Sequence, residues 1–213
     1  HRELILPQLG APGVAAHLVK KISGFKVIYG PIRSADLPKF LMAGLKATQE
    51  MRRKTFTLRE RAVLIPIELV EALKVLACIL PIFFFLGGLG ASGSYWSNVV
   101  SHGLLAVLAI LSAVVMGTIL TPLLLPFLPG RAFAFKGFSI AVLGVLLLLF
   151  FFKGADGVSI GWLERLAWLL LVPALTAYLA MNFTGASTYT SLSGVRKEMR
   201  WAVPLEIGAG AIG

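Results

Sequence analysis

TQEMRRKTFTLRER (48–61) is followed from Ala62 onward by long apolar stretches, the first at about 65–89, and this junction decides the fold. Residues 1–61 are polar and basic, with 12 Lys/Arg against 4 Asp/Glu. Beyond them the apolar runs reach bilayer length, as in GFSIAVLGVLLLLFFF (137–152). A membrane-crossing helix needs about 20 mostly apolar residues, or fewer where flanking side chains snorkel. The pattern therefore predicts the end of a soluble domain joined to a multi-span membrane domain.

Composition agrees. Of 213 residues, 57% are hydrophobic and 14% charged, whereas soluble domains carry about 25% charged residues. The net charge of +10 would suggest nucleic acid in a soluble protein. Here the basic excess sits mostly ahead of the first span, as the positive-inside rule requires, so no nucleic-acid partner is expected. Cys78 is the only cysteine and falls in an apolar run, which excludes a disulfide or a cysteine metal cluster within the chain. No secretory signal opens the sequence. His1 leads straight into a strand-like run and the last residues start an apolar segment, so both ends are expected to be truncated.

Four spans and the start of a fifth are predicted: about 65–89, 98–126, 137–152 and 162–183, with the last opening at Trp201. Loop 90–97 has no Lys or Arg, loop 127–136 carries Arg131 and Lys136, and loop 184–200 carries Arg196, Lys197 and Arg200. Those signs predict a cytoplasmic N-terminal part and a multi-pass protein of the cytoplasmic (inner) membrane. Loop 153–161, with Lys153 and Asp156, is assigned outside by alternation. Arg52, Arg53, Lys54, Arg59 and Arg61 are placed at the cytoplasmic face, within reach of anionic headgroups. Glu71 and Lys74, three apart in the first span's opening turns, read as a snorkelling ion pair, and His102 as an interfacial residue. Pro122, Pro126 and Pro129 should end or kink the second span, and Pro81 and Pro173 kink two others. No span is expected to be both broken and charged at its centre, the arrangement of many transporter sites.

The part before the junction reads as βαβα. ELILPQL (3–9) and FKVIYGP (25–31) have strand character. Residues 12–23 form a helix with Pro12 at its first position and Gly24 as its stop, and 34–47 form a second helix with Ser34 as N-cap. Short connections between alternating elements imply a parallel sheet. Some 47 residues make half of a doubly wound domain, whose remaining strands are expected upstream. The predicted organisation is a partial α/β domain over 1–47, a basic linker over 48–64 and an all-α membrane domain over 65–213.

Ligands of open parallel sheets bind outside the carboxyl ends of the strands. Those ends are QLGAPGV (8–14) and GPIRSAD (30–36). Gly10, Gly13 and Gly30 permit close backbone approach, Arg33 offers a forked cation, and the helix starts present free amides. A cofactor contact and plain turn punctuation both fit these residues. The hydroxyl-rich loop NFTGASTYTSLSGV (182–195) fits either a polar inter-span loop or a docking surface. No HExxH, P-loop, GxGxxG or Ser/His/Asp arrangement is present.

ILPQLGAPGVAAHLVKKISGFKVIYGPIRSADLP resembles the C-terminal half of the corrinoid-binding domain of the membrane-anchored mercury-methylating corrinoid proteins. That group lies in the wider family of the corrinoid iron–sulfur subunit of CO dehydrogenase/acetyl-CoA synthase. MRRKTFTLRERAVLIPIELVEALK resembles the family's link into its membrane domain, and NFTGASTYTSLSGVRKEMRW a segment shared with the corrinoid iron–sulfur subunits. The resemblance implies a Rossmann-like domain holding cobalamin, methyl transfer to Hg(II), and a small ferredoxin-like iron–sulfur protein as reductant. Carried over by motif, Gln8, Leu9, Gly10, Ala11, Pro12, Gly13, Gly30, Pro31 and Arg33 would line the corrinoid pocket. The family's cap-helix cysteine, a proposed cobalt ligand, has no counterpart here, because Cys78 lies in the first span. The chain alone is therefore expected to be inactive. A membrane-bound corrinoid methyl carrier of one-carbon metabolism and a non-enzymatic transporter or scaffold are the competing expectations.

Overall fold

The β-branched and aromatic runs on either side of residues 8–25 pair as strands. The computed structural model describes residues 2–89, 94–152, 160–186 and 192–213. It divides into two units, His1–Phe56 and Thr57–Gly213.

In the first unit, β1 (Glu3–Pro7) and β2 (Lys26–Gly30) run parallel, in register from Glu3 opposite Lys26 to Pro7 opposite Gly30. A parallel pair needs a crossover, and α1 (Ala16–Ser23) supplies it, stopping at Gly24 in the left-handed conformation with φ 74°. α1 starts later than expected. Residues 8–13 are consumed by a 3-10 turn (Gln8–Gly10) and a further turn in which Gly13 N–H and Val14 N–H donate to the Gly10 carbonyl at 3.0 and 3.1 Å. Pro12 is therefore a turn residue and not the first residue of the helix. The second helix is also shorter. Ser34–Asp36 form a 3-10 turn, and α2 spans only Leu37–Met42, with a proline in its first turn. Ser34 consequently caps nothing, and the left-handed pair Gly44 and Leu45 closes the segment.

The helices lie on opposite faces of the pair. Tyr29 donates its hydroxyl to the Val14 carbonyl at the entrance to α1. Its neighbour Gly30 points the other way, as successive strand residues must. A Cβ on Gly30 would meet Ile5 Cγ2 at 3.1 Å and Phe40 Cε1 at 3.4 Å, so glycine lets fully buried Phe40 of α2 pack closely there. Residues 48–55 fold back onto the segment after β2: Ile32 N–H donates to the Met51 carbonyl at 3.0 Å, and Arg33 donates to Thr55 Oγ1.

The second unit is a set of long helices. α3 (Leu58–Leu86) opens on a complete capping box. Thr57 N–H donates to Glu60 Oε2 at 2.9 Å and Glu60 N–H to Thr57 Oγ1 at 3.3 Å. α4 (Tyr95–Leu124) is interrupted by π-helical turns at Val99–Gly103 and Val115–Leu120. α5 (Phe133–Phe151), α6 (Trp162–Ala186) and α7 (Leu192–Ile212) follow. Among the described residues, four helices, α3 to α6, are long and apolar enough to cross a membrane. The segment expected to open at Trp201 belongs to a helix already begun at Leu192, so Arg196, Lys197 and Arg200 sit on α7 and not in a loop.

Successive helices are antiparallel. Gly87 after α3 touches Gly103 near the start of α4, while Arg61 at the start of α3 reaches carbonyls at the end of α4. The first crossing is so close that a Cβ on Gly103 would lie 2.1 Å from the Phe84 carbonyl oxygen. The core between helices uses small residues, with Ala109, Ala113 and Ala141 fully buried beside Leu105 and Val145. Small side chains let helices approach where lipid-like surroundings give no hydrophobic drive to associate.

Candidate functional site

The parallel register brings two of the predicted stretches together. Pro7 and Gly30 are partners at the carboxyl end of the pair, so the turn Gln8–Gly13 and the segment Gly30–Arg33 leave the sheet side by side. Leu9, Pro12 and Gly13 are exposed, Gln8, Gly10 and Ala11 half-buried, and Gly30 and Pro31 buried. Gly10 has ordinary space around it, its nearest neighbour to a Cβ being Pro7 Cγ at 4.0 Å. The edge is therefore a backbone-rich, side-chain-poor surface. Arg33 is exposed, but its guanidinium is engaged by Thr55. Arg33 thus pins the segment after β2 to residues 48–55 instead of standing free beside the turn.

The membrane-length helices hold more polar structure than their hydropathy suggests. At one end of the bundle, buried Arg61 donates from Nη1 to the carbonyls of Pro122 (3.1 Å) and Leu123 (2.5 Å). The expected headgroup contact of Arg61 is thus replaced by a bond to the end of α4, where orphan carbonyls and the helix dipole both favour a cation. Lys136 does the same from α5, donating to the carbonyls of Leu125 and, at 2.9 Å, Leu128. Glu198 of α7 accepts the Ala134 N–H at 2.6 Å, placing a carboxylate at the N-terminus of α5. Arg61, Lys136 and Glu198 therefore clamp the 122–136 turn to α3 and α7. At the opposite end His102 Nδ1 lies 2.6 Å from Glu164 Oε2, tying α4 to α6. The expected Glu71–Lys74 pair forms at 2.6 Å on the exposed face of α3.

A cavity of about 690 Å³ lies among α3, α4, α6 and α7. Glu68, Glu71 and Asn182 line it with Glu206, and Phe83, Trp168 and Gly210 also face it. Both carboxylate oxygens of Glu206 are buried and without a hydrogen-bond partner among the described residues. Pro204 lies two residues before Glu206 inside α7, which runs unbroken from Leu192 to Ile212. The signal was present in WAVPLEIGAG (201–210), where one carboxylate interrupts an otherwise apolar segment.

Among the described residues, no group of three or more His, Cys, Asp or Glu side chains is placed to hold a metal ion. Cys78 is exposed on α3. The hydroxyl-rich stretch 187–191 and the loop residues Lys153 and Asp156 lie outside the described residues. Comparisons with protein-family models, curated proteins and solved structures find no match for this chain.

Proposed function

We propose that the first unit is part of a Rossmann-like corrinoid-binding domain and that the second anchors it in the cytoplasmic membrane. In this reading the protein serves corrinoid-dependent methyl transfer to Hg(II), with a ferredoxin-like iron–sulfur protein as reductant. The observation that carries it is the shared carboxyl-end edge: the crossover after β1 and the segment after β2, with helices on opposite faces, leave the sheet side by side at residues 8–13 and 30–33. Doubly wound sheets bind their cofactors at that edge. The sequence resemblance over 5–38 supports the same assignment.

The residues present fit part of a corrinoid site. Gln8, Leu9, Gly10, Ala11, Pro12 and Gly13, with Gly30 and Pro31, would hold one side of the cofactor through backbone groups and small side chains. Arg33, engaged by Thr55, fits a role in shaping the second turn and not in holding the cofactor. A bound corrinoid would supply a methyl group on cobalt. No residue of the first unit corresponds to the family's cap-helix cysteine, and Cys78 belongs to the other unit.

Bundle geometry supports the proposed orientation. Arg61, Lys136 and the Arg196–Arg200 stretch gather at the bundle end where α3 begins. A basic end is the cytoplasmic one by the positive-inside rule, which would put residues before Leu58 in the cytosol.

Gly10→Phe tests the site. Gly10 has room for a Cβ and no positive φ, so the variant should fold. Cobalamin retained by the protein in its native membranes, read by its absorbance, should fall at least about tenfold, a cost of about 1.4 kcal/mol. Unchanged cobalamin retention would contradict the assignment.

A further inference from the structure

The cavity within the helical unit is built with a polar end and an apolar end. α3 and α7 run in one direction and α6 in the other, so Glu68, Val203 and Asn182 fall at the same end of the cavity. Phe83, Gly210 and Trp168 fall at the opposite end. Glu206 lies one turn in from Val203, its two carboxylate oxygens buried and without a hydrogen-bond partner among the described residues. Glu71 lines the same polar end but is already paired with Lys74. A carboxylate whose oxygens are buried without a hydrogen-bond partner is costly unless it is neutralised or paired.

A proton alone would neutralise Glu206, but it would leave the cavity unexplained. The volume, about 690 Å³, falls in the range of small-molecule pockets, roughly 300–1,000 Å³. Its walls are largely apolar, with Trp168, Tyr178 and Phe83 among the lining residues. Carboxylates at one end and an apolar shaft beyond them complement one ligand chemistry.

The geometry points to a binding site for an amphipathic cation, with an ammonium head between Glu206 and Glu68 and an alkyl tail running toward Phe83 and Trp168. This site is independent of the corrinoid reading, since it lies wholly within the second unit. A bilayer lipid chain would also fit the apolar shaft, but it would not select for positive charge.

Dodecylammonium and its neutral counterpart dodecanol separate these occupants. Binding of each is measured to the full chain in phosphatidylcholine nanodiscs, with empty nanodiscs as the partition control. The expected result is saturable dodecylammonium binding, one site per chain, at least about tenfold tighter than dodecanol. Glu206→Gln should bring the two probes to equal affinity. Gly210→Trp provides a second test, because a side chain there meets open space in the fold yet projects from a cavity-lining position. It should lower affinity for both probes at least about fivefold while circular dichroism stays unchanged. Dodecylammonium uptake no greater than by empty nanodiscs, equal affinity for the two probes in the unsubstituted chain, or unaltered amine binding in Gly210→Trp would each overturn the site.

Discussion

The two units dispose of their apolar side chains in opposite ways. In Thr57–Gly213, Ala109, Ala113, Ala141, Val145 and Val172 form a closely packed interior, while Leu143, Leu147 and Phe150 face outward. A bilayer makes that outward face an asset. In the first unit the buried apolar side chains are Phe40 and Met51, whereas Leu4, Ile5, Leu18 and Ile22 stand exposed around a two-stranded sheet. A two-stranded sheet is marginal in water, and an uncovered apolar face is a surface awaiting a partner. Apolar exposure thus has two meanings in one chain. It is compatible with lipid contact in the helical unit, and in the α/β unit it leaves the two-stranded sheet uncovered among the described residues.

The largest effect that could break this comparison comes from Phe40→Ala. Phe40 is the fully buried large side chain of the first unit, so its truncation should cost about 3–5 kcal/mol. Hydrogen exchange should report loss of protection in β1 and β2 with α3 to α6 unchanged. Joint loss in both units would show that they fold as one. A smaller effect is expected from Gly103→Ala, which drives a methyl into the Phe84 carbonyl. It should cost the helical unit about 1–3 kcal/mol, read as a lower melting temperature in detergent, and leave the first unit's exchange as it was.

Much of this arrangement was legible in the sequence, for physical reasons that also explain the misses. Hydropathy summed over a bilayer's length is insensitive to one-residue errors, and α3 to α6 coincide with the apolar stretches. The βα alternation before residue 47 was legible from strand character and Gly24. The starts of α1 and α2 were not, because Pro12 and Ser34 suit turns as well as helix starts, and 3-10 turns took those positions. The start of α3 at Leu58 had a local signal in Thr57 and Glu60, a T-x-x-E capping box three residues after the basic run. The roles of Arg61, Lys136 and Glu198 had no local signal. Each depends on a backbone group brought near by the fold, as in the bond from Ala134 to Glu198, which lie 64 residues apart. The edge at residues 8–13 and 30–33 was found from strand order alone, but the engagement of Arg33 by Thr55 was beyond any local pattern.

The contrast between lipid contact and unfinished packing is tested most directly by hydrogen–deuterium exchange on the whole chain, compared between lipid nanodiscs and a lipid-free detergent micelle. The account predicts amides of α3 to α6 protected for hours in nanodiscs, with residues 2–56 exchanging faster and at a rate indifferent to lipid. Fast exchange along α3 to α6 in the bilayer, or lipid-dependent protection across β1 and β2, would contradict it.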